Sequence, residues 1–212
     1  QPRRCPILYD APEPEEAAEE DTTPDYPVTV FFTREGYFKK ITPQSLRMSS
    51  EQKLKEGDEV RWQCETHNTA WLLFFTNRHQ VYKCRAGDFA DTKASVLGDF
   101  VAVKLGMEEG ETPVFLAVTD DYKGHMLFFF QNGKCARIPL ASYATKQNRK
   151  KLLNAYSDKS PLAAMLQLPE SEELAVRTSA GRLLLVHSTQ ISEKATRDSA
   201  GVAVITLKKN QT

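Results

Sequence analysis

From Pro27 onward the chain alternates short apolar runs with brief polar breaks. The runs are rich in Val, Leu, Phe and Tyr, which suit a pleated, half-buried surface, and the breaks carry Gly, Asn, Asp and Ser. This spacing predicts strands and turns with little helix. The pattern also repeats. VFFTREGYFKKI (30–41) returns as LFFTNRHQVYKC (73–84), as FFFQNGKCARI (128–138) and, more weakly, as VRTSAGRLLLV (176–186). Each copy reads strand, turn, strand. Gly36, Gly133 and Gly181 take the turn position, where a positive φ is needed, and His79 stands there in the second copy. The equivalent positions Thr33, Thr76, Phe130 and Thr178 lie 43, 54 and 48 residues apart. A period of this length with several strands per unit marks a blade architecture.

A second element recurs between the hairpins as GDEVRWQC (57–64), GDFVAVKL (98–105), KSPLAAMLQL (159–168) and AGVAVITL (200–207), each supplying a further strand or two. The fold predicted is all-β: a propeller-like array of about four four-stranded antiparallel blades. Its hairpin turns fall near residues 34–36, 77–79, 131–133 and 179–181. Consecutive aromatics (Phe31-Phe32, Phe74-Phe75, Phe128-Phe129-Phe130) imply strands covered on both faces, because neighbouring residues point to opposite sides. Trp62 and Trp71 are expected in the same core. The best helical candidate is QNRKKLLNAY (147–156).

Charge changes the picture at the N-terminus. Residues 10–25 (DAPEPEEAAEEDTTPD) are acidic, contain three prolines and cannot bury a core. Residues 1–26 are read as an acidic linker from an upstream domain and 27–212 as the β domain. A sharper alternative has the acidic segment competing with DNA for the basic body. The start, Gln1-Pro2-Arg3-Arg4, has no initiator Met and no apolar signal-peptide core, as expected of a piece of a longer protein. The formal net charge of zero averages this segment with a body of 26 basic and 20 acidic residues, a net +6 on 27–212. That excess permits a nucleic-acid partner without requiring one.

The four cysteines, Cys5, Cys64, Cys84 and Cys135, are dispersed and form no CxxC pair, which predicts reduced thiols of a cytoplasmic protein. His67, His79, His125 and His187 show no metal-ligand or catalytic grouping, and Asp120-Asp121 reads as a solvated turn. No phosphate-cradling glycine loop is present.

The basic residues recur in phase with the repeat. Lys40, Lys83 and Arg137 are equivalent on the second hairpin strand, with Leu185 in the fourth copy. Arg34, Lys39, Arg78, Lys134 and Arg182 lie in or beside the turns. A track of cations along one rim would neutralise successive phosphates, the dominant source of DNA affinity. Lys146, Arg149, Lys150 and Lys151 form the densest cluster and are candidates for a phosphate clamp that positions DNA without reading sequence. Lys194 and Arg197, with Lys208 and Lys209, are further candidates near the end of the chain. The competing reading is that these cations only solvate exposed strand faces.

VTVFFTREGYFKKI (28–41) resembles the opening blade of a known family, the C-terminal domains of the A subunits of bacterial type II topoisomerases of the gyrase and topoisomerase IV kind. WLLFFTNRHQVYKC (71–84), RIPLASY (137–143) and TRDSAGVAVITLKK (196–209) resemble later segments of that family, and Arg3-Arg4 with the acidic stretch fits its linker. The resemblance implies a β-pinwheel, whose blades exchange strands with their neighbours. It implies a domain that binds and bends duplex DNA and presents it to a strand-passage core. None of Tyr9, Tyr26, Tyr37, Tyr82, Tyr122, Tyr143 or Tyr156 sits in the family's nucleophile motif, so this segment is not expected to be an enzyme. The partners implied are duplex DNA, a second copy of the A chain, and an ATPase B chain, with ATP and Mg2+ used through other domains. No membrane is implied, and the setting is the cytoplasm, at the nucleoid.

Two features depart from the family. The loop MSSEQKLKEGD (48–58) stands where gyrase carries a glutamine–arginine–arginine–glycine–glycine box, and four repeats are legible rather than five or six. Both favour a topoisomerase IV-like or reduced form. Readings from other classes are a propeller-type protein-interaction module, which lacks here the Trp-Asp or paired-glycine marks of such arrays, and an all-β enzyme with its site in a blade channel.

Overall fold

The computed structural model describes residues 22–145, 149–208 and 211–212. In chain order the strands are β1 (Pro27–Thr33), β2 (Tyr37–Ile41), β3 (Val60–His67), β4 (Trp71–Thr76), β5 (Val81–Arg85), β6 (Asp99–Phe100) and β7 (Pro113–Thr119). There follow β8 (His125–Phe130), β9 (Lys134–Pro139), β10 (Lys151–Leu152), β11 (Leu162–Leu168), β12 (Glu173–Arg177), β13 (Leu183–His187) and β14 (Val202–Ala203). The helices are short, α1 (Pro43–Met48) and α2 (Val101–Lys104). All four hairpin turns fall where the repeat puts them, and His79 holds the positive φ of +57° that its place in the repeat demands.

Three sheets are four-stranded, in the orders β3-β1-β2-β6, β7-β4-β5-β10 and β11-β8-β9-β14, and the fourth holds β12-β13. All strand pairing is antiparallel. One topological rule generates the order. After each hairpin of the second, third and fourth repeats, the chain returns to the preceding blade and adds a two-residue edge strand: β6 to the first, β10 to the second, β14 to the third. Blades are therefore closed by the chain of their successor. The recurring second element is in fact two elements. GDEVRWQC and KSPLAAMLQL supply the outer strands β3 and β11, whereas GDFVAVKL and AGVAVITL supply the returning strands β6 and β14. Gly98 and Gly201 open those returns at φ +89° and +74°, and a Cβ on either would lie 2.3 Å from the carbonyl oxygen of Phe38 or Cys135. Only glycine fits there.

Two sequence expectations are corrected. Residues 101–104 wind into α2 rather than extending β6, because the edge strand stops after Phe100. The helix expected over 147–156 does not form in its described part: Lys151–Leu152 is β10, held against Val81 and Tyr82 of β5, with Ala155 and Tyr156 buried. A free strand edge on the second blade outcompetes the weak helical pattern.

Burial follows position in the sheet. β1, β4 and β8 each lie between two hydrogen-bonded strands of their sheet and are buried almost throughout. β3 is an outer strand and alternates between half-buried and exposed. Phenylalanines join successive blades: Phe32 packs edge-on to Phe74 at 5.5 Å, and Phe75 to Phe128 at 5.7 Å. Between the third and fourth blades the core shrinks to Leu127, Cys135, Leu168, Leu174 and Ile191. The outer face of the fourth hairpin leaves Leu183 and Leu185 65% and 67% exposed. Cys64, Cys84 and Cys135 are free thiols, and burial pushes Cys135 up to about 12; Cys5 lies outside the described residues.

Candidate nucleic-acid interface

The in-phase cations divide into two groups. Lys40 and Lys83 sit on the third strand of a four-stranded blade, between a hairpin partner and a returning strand, and both are buried, as is Lys39. The expectation that these three lie on an exposed rim is corrected. Lys39 Nζ donates to the carbonyls of Lys53 (2.9 Å) and Ala94 (3.2 Å), fastening the 49–58 loop to the blade. Burial holds its pKa below the ordinary lysine value. Lys40 Nζ donates to Asn68 Oδ1 (2.5 Å) and pairs with Asp91 at 3.1 Å. Arg137, at the equivalent place in the third blade, is half-buried, and its guanidinium reaches the Ile191 carbonyl at 3.5 Å. A buried charge needs hydrogen bonds on the spot. Each of these side chains finds them in a segment brought in from elsewhere in the chain, so the repeat's cation is first a fastener between segments.

The turn cations are exposed, and they differ between the two halves of the chain. On the first blade Arg34 contacts Glu59 (3.5 Å) and the Gly57 carbonyl, Arg61 contacts the same Glu59 (3.6 Å), and Lys55 contacts Glu35 (2.9 Å). On the second, Glu108 takes both Arg78 and Lys151 at 2.9 Å. Lys151 holds the Glu108 carboxyl below the usual carboxylate range, and Arg78 adds to the effect. On the third and fourth blades, Lys134 beside one turn and Arg182 in the next are exposed and form no ion pair among the described residues. Arg182 donates instead to the Thr206 carbonyl at 3.0 Å. Lys150, next to β10 at the edge of the second blade, is also exposed and outside any ion pair among the described residues.

The composition carries the same division. Residues 27–118 hold twelve basic and twelve acidic residues, whereas residues 119–212 hold fourteen and eight. The whole +6 of the body therefore belongs to the second half. Arg149 and Lys208 are exposed there, Lys194 and Arg197 are half-buried, and Arg197 donates to the Ser142 carbonyl at 3.1 Å. Lys146 and Lys209 lie outside the described residues, as do residues 10–21 of the acidic stretch. The last residues of that stretch are anchored: Asn68 donates to the Pro24 carbonyl (2.9 Å), and Asp25 meets His67 and Thr69 at 3.2 Å each. The pairing of the first-half cations is a feature that sequence reasoning missed. Arg78 and Glu108 are thirty residues apart, and only the turn-to-loop geometry joins them.

A family model described as DNA gyrase C-terminal domain, beta-propeller, matches residues 172–212. The DNA gyrase A chain of Streptomyces coelicolor is 29% identical over 133 residues, covering 58% of this chain and 16% of that protein. The DNA topoisomerase 4 A chain of Bacillus subtilis is 26% identical over 130 residues, covering 59% and 16%. The DNA gyrase A chain of Mycoplasma genitalium is 23% identical over 219 residues, covering 99% and 26%. The chain thus spans between a sixth and about a quarter of these relatives' length. A crystal structure of the C-terminal domain of DNA topoisomerase IV superposes with a TM-score of 0.75 at 23% identity, covering 89% of this chain and 59% of that one. The E. coli ParC C-terminal domain superposes at 0.66 and 14% identity, covering 85% and 72%.

Proposed function

We propose that this chain is a C-terminal β-pinwheel domain of the A subunit of a bacterial type II topoisomerase, and that residues 27–212 bind and bend duplex DNA without reading its sequence. The observation that carries the reading is the charge on the second half of the body, from the edge of the second blade to the fourth. There Lys134, Lys150 and Arg182 stand exposed with no carboxylate partner among the described residues, in the half of the body that holds its whole net charge. Cations of this kind replace the counterions condensed on phosphates, and the released ions drive binding. They position the duplex and carry no base information.

Bending a ~20–30 bp site by 40–90° costs about 1–6 kcal/mol. Charge-assisted contacts along an arc of blades offset a cost of that size. A full chiral wrap needs far more contact. The loop at 48–58 carries Glu51 and Glu56 beside Lys53 and Lys55, and Lys39 fastens it to the blade. It offers no cationic clamp to close such a wrap. The domain bends, and its parent enzyme relaxes or decatenates rather than supercoils. Strand cleavage, ATP and Mg2+ belong to other domains and to the ATPase B chain of a cytoplasmic, nucleoid-associated assembly built on an A-chain dimer. The acidic residues 1–26 join this domain to that dimer.

Duplex affinity measured across a salt series tests the reading. Expected is binding at low salt, insensitive to sequence, with a log–log slope of about −0.9 per phosphate contact. Absence of binding at low salt, or strong sequence selection, overturns it. Ligation of nicked circles with the domain bound separates bending from wrapping: a stoichiometric positive linking-number shift would assign a gyrase-type wrap instead.

A further inference from the structure

The three returning segments place one residue against the repeat's cation, five residues beyond the start of the 3₁₀ turns Ala86–Asp88, Leu140–Tyr143 and Ser188–Gln190. That residue is Asp91, Thr145 or Glu193. Asp91 and Glu193 form isolated parallel bridges with Lys40 and Arg137. In the first blade the carboxylate pairs with the buried ammonium, and in the third Glu193 meets His125 Nε2 at 2.6 Å. In the second blade the carboxylate is missing. Lys83 is 5% exposed, and its Nζ donates to the neutral hydroxyl of Thr145 at 3.1 Å, with no ion pair among the described residues.

Other cations lie near Lys83. Its ammonium lies over the rings of Trp71 (5.4 Å) and Tyr122 (5.3 Å), and the Arg85 guanidinium also stacks on Trp71, at 3.8 Å. Burial first, and the nearby Arg197 second, hold Lys83 below the ordinary lysine value. Tyr122, at the unusual φ of +56°, has a buried hydroxyl with no hydrogen-bond partner among the described residues. Thr145 is half-buried, so the ammonium lies one side chain beneath the surface, and the exposed Arg149 and Lys150 follow in the same connection. A buried cation beside a second cation, with no ion pair of its own among the described residues, is an unfavourable arrangement that an incoming anion relieves.

We propose that the junction of the second and third blades is an oxyanion seat, in which Lys83 Nζ, Thr145 Oγ1 and the Arg197 guanidinium receive one phosphate group where the other repeats carry their own carboxylate. The seat deepens the duplex-binding reading and rests on it only for the source of the phosphate. The decisive variant is Thr145→Asp, which restores the missing carboxylate. Ala144→Asp, at an exposed neighbour, makes the same change in net charge away from Lys83.

Two arms are measured on the full 212-residue chain. In the first, inorganic phosphate replaces chloride at constant ionic strength during thermal unfolding. The Tm of the wild type and of Ala144→Asp should rise with phosphate, and that of Thr145→Asp should not. In the second, the log–log salt slope for duplex DNA should shrink by about 0.9, one contact, in Thr145→Asp relative to Ala144→Asp. A response in the first arm alone assigns the seat to free phosphate, and a response in the second assigns it to a DNA phosphodiester. Should Thr145→Asp fail to fold, Arg197→Gln carries the same comparison and the same expected losses. If wild type and variant behave alike in both arms, the seat does not exist, even where the wild type binds DNA.

Discussion

The first two blades and the last two are built from one repeat, yet they end as different surfaces. In the first two, both faces of every hairpin are covered, phenylalanine meets phenylalanine across the joint, and each turn cation is matched by a carboxylate from a loop. In the last two, the joint narrows to small aliphatic contacts, the fourth hairpin shows Leu183 and Leu185 to solvent, and Lys134 and Arg182 stand without acids among the described residues. The repeat fixes the backbone and its turns, and the residues laid on that backbone decide how far a blade is packed and how its charges are matched.

The sharpest test of the packing side of this contrast is a pair of truncations. Phe74, in the second blade, is fully buried and edge-on to Phe32 at 5.5 Å and Phe38 at 5.7 Å. Phe74→Ala should cost about 3–5 kcal/mol, the usual range for a core phenylalanine. Leu185→Ala, on the open face of the fourth hairpin, should cost less than about 0.5 kcal/mol. Chemical denaturation of both variants gives the answer. Comparable losses would mean that the fourth hairpin is as closed as the rest.

The electrostatic side is tested by matched triplets. Neutralising Lys134, Lys150 and Arg182 to Gln removes three charges that no carboxylate matches among the described residues and should flatten the duplex salt slope by up to about 2.7. Neutralising Arg34, Arg61 and Arg78 to Gln removes three charges of the same sign, but each has a carboxylate within 3.6 Å. The slope should then change by less than about one contact. Equal effects from the two triplets would remove the division between scaffold and contact blades.

Periodicity carried a great deal of this structure. The hairpins, their four turns and the buried phenylalanine runs follow from the alternation of apolar and polar residues and from a period in the blade range. What the sequence hid depends on long-range partners. The returning strands β6, β10 and β14 are two residues long, too short to leave a pattern, and their pairing is set by free edges created elsewhere in the chain. The lysines were legible as an in-phase set, but their direction was not. Lys39 and Lys40 are neighbours on one strand and point to opposite faces; Lys39 reaches the carbonyls of Lys53 and Ala94, Lys40 reaches Asn68 and Asp91, and Lys83 reaches Thr145, so each became a fastener through a distant segment. The neutralised turns were hidden for the same reason: Glu108 meets Arg78 and Lys151 only after the second blade has closed.

That last contact offers a way to convert one kind of blade into the other. Glu108 holds Arg78 through Oε2 and Lys151 through Oε1, both at 2.9 Å and both near the solvent. Glu108→Gln keeps the side chain's shape and removes its charge. Exposed pairs contribute little to stability, so the fold should tolerate the change. Two cations on the rim would then be released toward DNA, and the salt slope should steepen by up to about 1.8. A shift of pH within the neutral range cannot produce the same effect. The Lys151 ammonium, with Arg78 behind it, keeps the Glu108 carboxyl below the usual carboxylate range. The pairing is therefore present above the ordinary carboxylate pKa of about 4.3 and is lost only as pH falls through the depressed folded value. The measurement is the slope of wild type and Glu108→Gln side by side at about pH 7.5, well above that range. A steeper slope in the variant makes carboxylate matching the device that keeps the second blade off the DNA. An unchanged slope means that the rim of that blade faces away from the duplex, and that the DNA path begins at the third.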